Sequence, residues 1–310
     1  MIFNNIIETI GKTPLISIKE EGSAEILVKV EGFNPGGSIK DRPALYMIRD
    51  AEERGLLKKG DTIIEATSGN MGIALSMIGA ALGYRVIIVM PDTMSAERRR
   101  IMSAYGAELI LTDGKAGMKG SVEMAEKLAK EHGYFLPRQF ENQANSLSHM
   151  ETTAKEILKD TEGKIDAFVA GVGTGGTISG VGKILKEHNK DILIVAVQPS
   201  KSAVLTGGKA AGHGIQGIGA NFIPEIYKAF IPEIYKAEYV DKVLDMEEER
   251  AYEGARRLAR EYGILAGMSS GGNFAAAAEI AKSLGEGKRV VTVLPDTGER
   301  YLSTVLYANE

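Results

Sequence analysis

Residues 166–180 read DAFVAGVGTGGTISG. A short apolar run, DAFVAG, delivers the chain into a glycine-rich turn, and the turn opens a helical stretch that continues to Lys186. A strand feeding a helix through glycines is the repeating unit of an α/β fold, and ligands in such folds sit in the turns after the carboxyl ends of strands. The turn exposes backbone N–H groups at the positive end of the helix dipole, which suits a phosphate. Thr174 and Thr177 add hydroxyl donors. An isolated glycine pair would mean only that strand and helix pack closely. Five glycines in the ten residues 171–180 favour a phosphate site over that simpler account.

Outward from this turn the same grammar repeats. Short Val-, Ile- and Leu-rich runs at 25–30, 62–65, 85–90, 108–111, 167–170, 193–197 and 290–294 read as strands. Amphipathic segments at 43–54, 96–105, 120–132 and 247–262 lie between them. Strands that are apolar throughout, alternating with helices, predict mostly parallel sheets with helices on both faces. A chain of 310 residues is more than one compact domain usually takes, so two lobes with a cleft between them are expected.

The turn also matches GxGxxG at Gly171, Gly173 and Gly176, which alone would invoke a dinucleotide. That fingerprint needs an acidic residue about 20 positions on, at the end of the next strand, for the ribose 2′-OH. The next strand, ILIVAV, ends at Gln198 and brings no carboxylate. An NAD-dependent dehydrogenase is therefore the runner-up from a different functional class.

A second turn follows TIIEA: Thr67, Ser68, Gly69, Asn70, Met71 and Gly72. Hydroxyls, an amide and backbone N–H groups at a helix start, with no cation, suit a carboxylate or phosphate oxygen. A helix capped by Ser68 or Asn70 is the plainer account, but one polar residue satisfies it. Residues 34–42, NPGGSIKDR, place Lys40 at the start of a third helix. The dipole repels a cation there, and a lysine of depressed pKa suits a Schiff-base amine, which must be neutral to attack an aldehyde. Taken alone, Lys40 reads more simply as a solvated surface lysine, one of many in the chain.

Composition excludes several classes. Formal net charge is −4 with no long basic run, which argues against nucleic acid and anionic membrane as partners. No apolar stretch approaches the roughly 20 residues of a membrane helix, and MIFNNIIETIGKTP does not read as a secretion signal. With no cysteine, disulfides, thiolate metal sites and cysteine nucleophiles are excluded, which fits a cytoplasmic location. His132, His149, His188 and His213 are scattered without HxH or HxxxH pairing, so no metal site is expected.

NPGGSIKDR near 40, EATSGNMG near 70, GVGTGGT near 175, GMSSGG at 267–272 and LPDTGERYLST at 294–304 occur in that order. In this combination the chain resembles the cysteine synthases (O-acetylserine sulfhydrylases) of the β-family of pyridoxal-phosphate (PLP) enzymes, from IGKTPLISI to ERYLS. The resemblance implies the tryptophan synthase β-like fold (PLP fold type II). It also implies a smaller mobile lobe (36–145, with 1–12) and a larger cofactor-phosphate lobe (146–310, with 13–35). The implied reaction is β-replacement, O-acetyl-L-serine plus sulfide giving L-cysteine and acetate through an aminoacrylate. Lys40 matches the family lysine that forms the internal aldimine and later moves the Cα proton. Asn70 matches the residue bonded to the cofactor's 3′ oxygen, and Gly173, Thr174, Gly175, Gly176 and Thr177 match the phosphate cup. Ser269 matches the residue facing the pyridine nitrogen. Thr67, Ser68, Gly69, Asn70, Met71 and Gln139 match the substrate α-carboxylate pocket. A neutral hydroxyl opposite the pyridine nitrogen does not hold it protonated, so expulsion of a β-leaving group competes well with transamination.

Two features depart from the family. Met71 stands where threonine is frequent, placing a polarizable apolar group near the carboxylate. FIPEIYKA occurs twice in tandem, at 222–229 and 230–237, after the GIQGIGANF segment. One copy suffices to join IGAN to EYVDKVL, so the second is expected to bulge outward or extend a short helix begun at Pro224 or Pro232, and its deletion to leave PLP binding intact. The family further implies a homodimer and serine acetyltransferase as a partner. Alternatives on the same lysine and cup are elimination or replacement on L-cysteine with release of hydrogen sulfide, and cystathionine β-synthase-like chemistry.

Overall fold

The computed structural model describes residues 2–229 and 239–308. In chain order its strands are β1 (Leu15–Ile18), β2 (Glu25–Val30), β3 (Thr62–Ala66), β4 (Arg85–Pro91), β5 (Glu108–Thr112), β6 (Ala167–Gly171), β7 (Leu193–Pro199), β8 (Lys242–Met246) and β9 (Arg289–Leu294). The helices are α1 (Asp41–Glu53), α2 (Asn70–Leu82), α3 (Ala96–Ala104), α4 (Gly117–His132), α5 (Ala144–Ser148), α6 (Ala154–Asp160), α7 (Gly176–His188), α8 (Glu225–Ala229), α9 (Glu248–Tyr262) and α10 (Met268–Leu284). The chain folds into two compact units, Met1–Ile10 with Asn34–Asn145 and Gly11–Phe33 with Ser146–Glu310.

The first unit is built on a parallel sheet in the order β3-β4-β5. Successive side chains of a strand point to opposite faces, and here both faces are covered. Ile63, Val86, Ile88 and Met90 pack with Ala44, Met47 and Ile48 of α1 and with Ala74, Leu75 and Ile78 of α2. Ile64, Ala66, Ile87 and Val89 pack on the other face with Ala125 and Leu128 of α4. Helix α2, NMGIALSMIGAAL, is apolar nearly all round, as a helix buried in a core should be.

The second unit carries the sheet β1-β2-β9-β6-β7-β8. All neighbours pair in parallel except β1 with β2, which is antiparallel. Ala167 and Val169 face α9 and α10, through Leu258, Phe274 and Ala277. Phe168 and Ala170 face α6 and α7, through Ile157, Ile178 and Val181. The α/β architecture of mostly parallel sheets covered on both faces is thus the expected one.

Two strands lie outside the expected set. β1 is four residues long with two exposed positions, and β8 (KVLDM) carries a lysine and an aspartate. Both are edge strands, where a continuous apolar run is not needed. Within β2, Lys29 is 0% exposed. Its Nζ lies 2.9 Å from Glu156 Oε2 and donates to Thr13 O at 2.7 Å, so the buried charge is paired. The first FIPEIYKA copy is structural: Pro224 O accepts from Lys228 N–H, and Ile226 and Tyr227 are buried. The second copy (230–237), with the bulge or helix expected at Pro232, lies outside the described residues.

Candidate active site

In the first unit, the 34–41 turn is closed by Asp41, whose Oδ2 accepts the Gly36 N–H at 2.6 Å. A Cβ on Gly36 would lie 2.4 Å from Asp41 Oδ1, so glycine is required for that approach. Lys40 follows as the N-cap of α1, its N–H donating to Ser38 Oγ at 3.2 Å, with its side chain half-buried. An acid in the first turn and a buried cap region hold the lysine backbone in one place.

The second turn joins β3 to α2. The N-cap of α2 is Gly69, and no side chain caps the helix, which corrects the account of Ser68 or Asn70 as a simple cap. Thr67 Oγ1 instead accepts the Gly69 N–H at 3.3 Å. Thr67 is buried, while Ser68, Gly69 and Asn70 are half-buried at the head of the helix. Space is open around Gly69, where an added Cβ would meet nothing within 4 Å. Met71 is 1% exposed and belongs to the apolar core shared by α1, α2 and β3. Its side chain packs in that core, and its backbone N–H belongs to the first turn of α2.

Gln139, also buried, sits in a turn pinned to β3. Glu65 Oε2 accepts the Arg138 N–H at 3.0 Å, and Gln139 O accepts from Asn145 Nδ2 at 2.8 Å. Burial pushes the Glu65 carboxyl up to about 8.

In the second unit, β6 ends at Gly171, whose N–H donates to Asn273 Oδ1 at 2.8 Å. Asn273 Nδ2 donates to Val293 O at 2.9 Å, so one amide in α10 ties β6 to β9. The glycine turn then makes two close approaches. A Cβ on Gly173 would lie 2.6 Å from Gly217 O, and one on Gly175 would lie 2.8 Å from Tyr227 Cβ. Gly175 is also the N-cap of α7, at φ 86° in the left-handed region. Gly176 begins the helix, its N–H donating to Thr174 Oγ1 at 3.3 Å. This is a cradle of backbone N–H groups at a helix start that a side chain would fill.

Ser269 lies in the first turn of α10, and a Cβ on Gly217 would come within 3.0 Å of its Oγ. Gly217 therefore abuts both the glycine cup and Ser269. Behind that turn, Asp296 Oδ2 accepts from Tyr301 Oη at 2.7 Å, and its backbone O accepts the Gly267 N–H at 3.3 Å. A carboxylate beside a helix N-terminus is favourably placed.

Several residues escape local sequence reading. His149, set aside as one of four scattered histidines, is buried, with Nδ1 2.9 Å from Thr153 Oγ1 and Nε2 3.3 Å from Thr177 Oγ1. Its i,i+4 spacing to Thr153 is visible in the sequence, but the contact with Thr177 crosses 28 residues. His149 opens a π-helical turn, His149–Thr153, a distortion frequent at functional sites. Gln198, where a dinucleotide site would need an acid, donates to Thr206 Oγ1 and Asp245 Oδ1.

The described residues thus hold a cradle of backbone N–H groups at the head of α7, a lysine at the head of α1 and a cation-free polar turn at the head of α2. The family model described as "Pyridoxal-phosphate dependent enzyme" matches residues 6–296, and the chain belongs to that family. It is similar to the cysteine synthase of Staphylococcus aureus (strain Mu50 / ATCC 700699), 52% identical over 309 residues, covering 98% of this chain and 97% of that protein. Among solved structures it is similar to O-ureido-L-serine synthase, with a TM-score of 0.94 at 47% identity, covering 100% of this chain and 96% of that one. The cysteine synthase of Entamoeba histolytica aligns with a TM-score of 0.93 at 47% identity, covering 100% and 92%. The protein is a PLP-dependent enzyme, and no described helix is long and apolar enough to cross a membrane.

Proposed function

We propose that this enzyme makes L-cysteine from O-acetyl-L-serine and sulfide. The observation that carries the reading is the neutral Ser269 hydroxyl at the head of α10, with Gly217 against both it and the glycine cup. PLP bound there supplies an electron sink for charge at the substrate Cα. Gly173, Thr174, Gly175, Gly176 and Thr177 would hold the cofactor phosphate with backbone N–H groups, Asn70 would hydrogen-bond its 3′ oxygen, and Ser269 would offer the pyridine nitrogen a neutral hydroxyl that does not protonate it. Thr67, Ser68, Gly69, Asn70, the Met71 N–H and Gln139 bind the substrate carboxylate by hydrogen bonds alone. Lys40 would anchor the cofactor and take the Cα proton. The Cβ–O bond to acetate then breaks, HS⁻ forms the Cβ–S bond, and Lys40 returns the proton, with no net oxidation.

The test is direct. The purified protein should absorb above roughly 400 nm, as PLP joined to a lysine does. Borohydride should fix the cofactor to the peptide bearing Lys40, and Lys40→Ala should abolish turnover. Cysteine and acetate should appear in equal amounts from O-acetyl-L-serine and sulfide. Fixation to another lysine would overturn the site assignment. A homodimer, a cytoplasmic location and association with serine acetyltransferase complete the reading; sedimentation of the protein with and without that acetyltransferase checks the assembly.

A further inference from the structure

β3 reads TIIEA, and its one charged residue, Glu65, is 5% exposed between the apolar Ile64 and Ala66. Packing gains nothing from a carboxyl there, and an apolar side chain of similar volume would serve the core as well. What an apolar residue cannot do is accept a hydrogen bond. Glu65 Oε2 accepts one from the Arg138 N–H at 3.0 Å. Arg138 stands at φ 55°, a left-handed conformation that a non-glycine residue holds only when its surroundings enforce it.

Everything around Arg138 is organised by that conformation. Its carbonyl accepts from Glu141 N–H and Asn142 N–H at 2.9 and 3.0 Å. Asn142 Nδ2 reaches back to Pro137 O at 3.1 Å, and Asn145 Nδ2 holds Gln139 O at 2.8 Å. Upstream, Phe135 exchanges backbone bonds with β3, donating to Thr62 O and accepting from Ile64 N–H, both at 2.9 Å. The Glu65 carboxyl takes over from that bridge where the backbone turns away. It stands two residues before Thr67 on one side and grips the residue before Gln139 on the other.

We propose that Glu65 is a positioning residue that holds the Arg138 turn so that Gln139 is registered against the Thr67–Asn70 turn for the substrate carboxylate. This rests on the reaction proposed above. Burial keeps the carboxyl protonated far above the usual range, and a neutral acceptor is all that the Arg138 N–H requires.

The test measures KM and kcat for O-acetyl-L-serine, and its dissociation constant from the visible spectrum of the holoenzyme, in wild type and four variants. Glu65→Gln keeps an acceptor oxygen and should leave all three within about twofold of wild type. Glu65→Asp is one methylene too short to reach; KM and the dissociation constant should rise about tenfold, the scale of one lost hydrogen bond, while kcat and the resting spectrum hold. Gln139→Ala should show a similar rise, and adding Glu65→Asp to it should change affinity by no more than about twofold, because both act through one contact. Should Glu65→Asp fail to fold, Glu65→Met replaces it in the cycle. A lowered urea midpoint with unchanged KM, effects that multiply in the double variant, or a Glu65→Gln variant as impaired as Glu65→Asp would each overturn the assignment. The wild-type holoenzyme itself reports on the reaction, so failure of that reading appears as no turnover in wild type and is separate from any difference among variants.

Discussion

Replacing Gly173 with alanine probes the proposed cofactor cradle at its closest self-approach. The added Cβ would lie 2.6 Å from the Gly217 carbonyl oxygen, whereas ordinary contact begins at 3.4 Å. The two backbones must therefore separate by 3.4 − 2.6 = 0.8 Å. Gly217 itself holds φ 99°, in the region that favours glycine. Overpacking of this kind costs about 1–3 kcal/mol. If the strain is relieved by opening the cup, the same energy comes off phosphate binding, about tenfold to hundredfold in PLP affinity. The assay is retention of the visible band on dialysis against a series of free PLP concentrations, with urea unfolding alongside. Gly69→Ala is the control: its φ is −117° and its Cβ would meet nothing within 4 Å, so cofactor retention should match wild type. A Gly173→Ala variant with wild-type PLP affinity and wild-type urea midpoint would refute the assignment of this approach to the phosphate cup.

Other outcomes follow from the same geometry. Ser269→Ala should be mild in turnover, since one neutral hydrogen bond of about 1 kcal/mol is lost, while Ser269→Asp should impair β-replacement severely; equal loss in both would point to packing. Lys29→Ala removes the ammonium that pairs with Glu156 Oε2 in the second unit, while Glu156 Oε1 keeps the Lys12 N–H, and should lower stability by about 1–3 kcal/mol in urea without moving the visible spectrum. Glu65 should impose a pH dependence. Its folded carboxyl titrates at about 8 against an ordinary 4.5, so folding takes up a proton between those values. The stabilising contribution is complete below the lower value and is lost as pH rises through the upper one, with Arg138 and Glu141 the charges facing the group. Wild type should thus lose stability relative to Glu65→Gln on going from about pH 5 to about pH 8.5; a constant difference between the two urea midpoints would contradict this.

Much of the molecule is determined by the sequence alone. Seven of the described strands contain apolar runs that composition locates, and the glycine-rich head of α7 follows from spacing within one turn. The order of the lysine, TSGN, glycine and GMSSGG segments identifies the family because each is a local motif whose chemistry is complete in a few residues. Tertiary structure decided the rest. β1 and β8 form because an edge is available, although their residues would not claim a strand on apolarity. Met71, adjacent to polar donors in sequence, turns into the core because helical geometry puts it on the face shared with α1. Glu65 meets Arg138 across 73 residues, and Gly171 meets Asn273 across 102. A hydrogen bond between distant residues leaves no period in the sequence, since the partner's position depends on how strands and helices pack, and packing is a property of the whole unit.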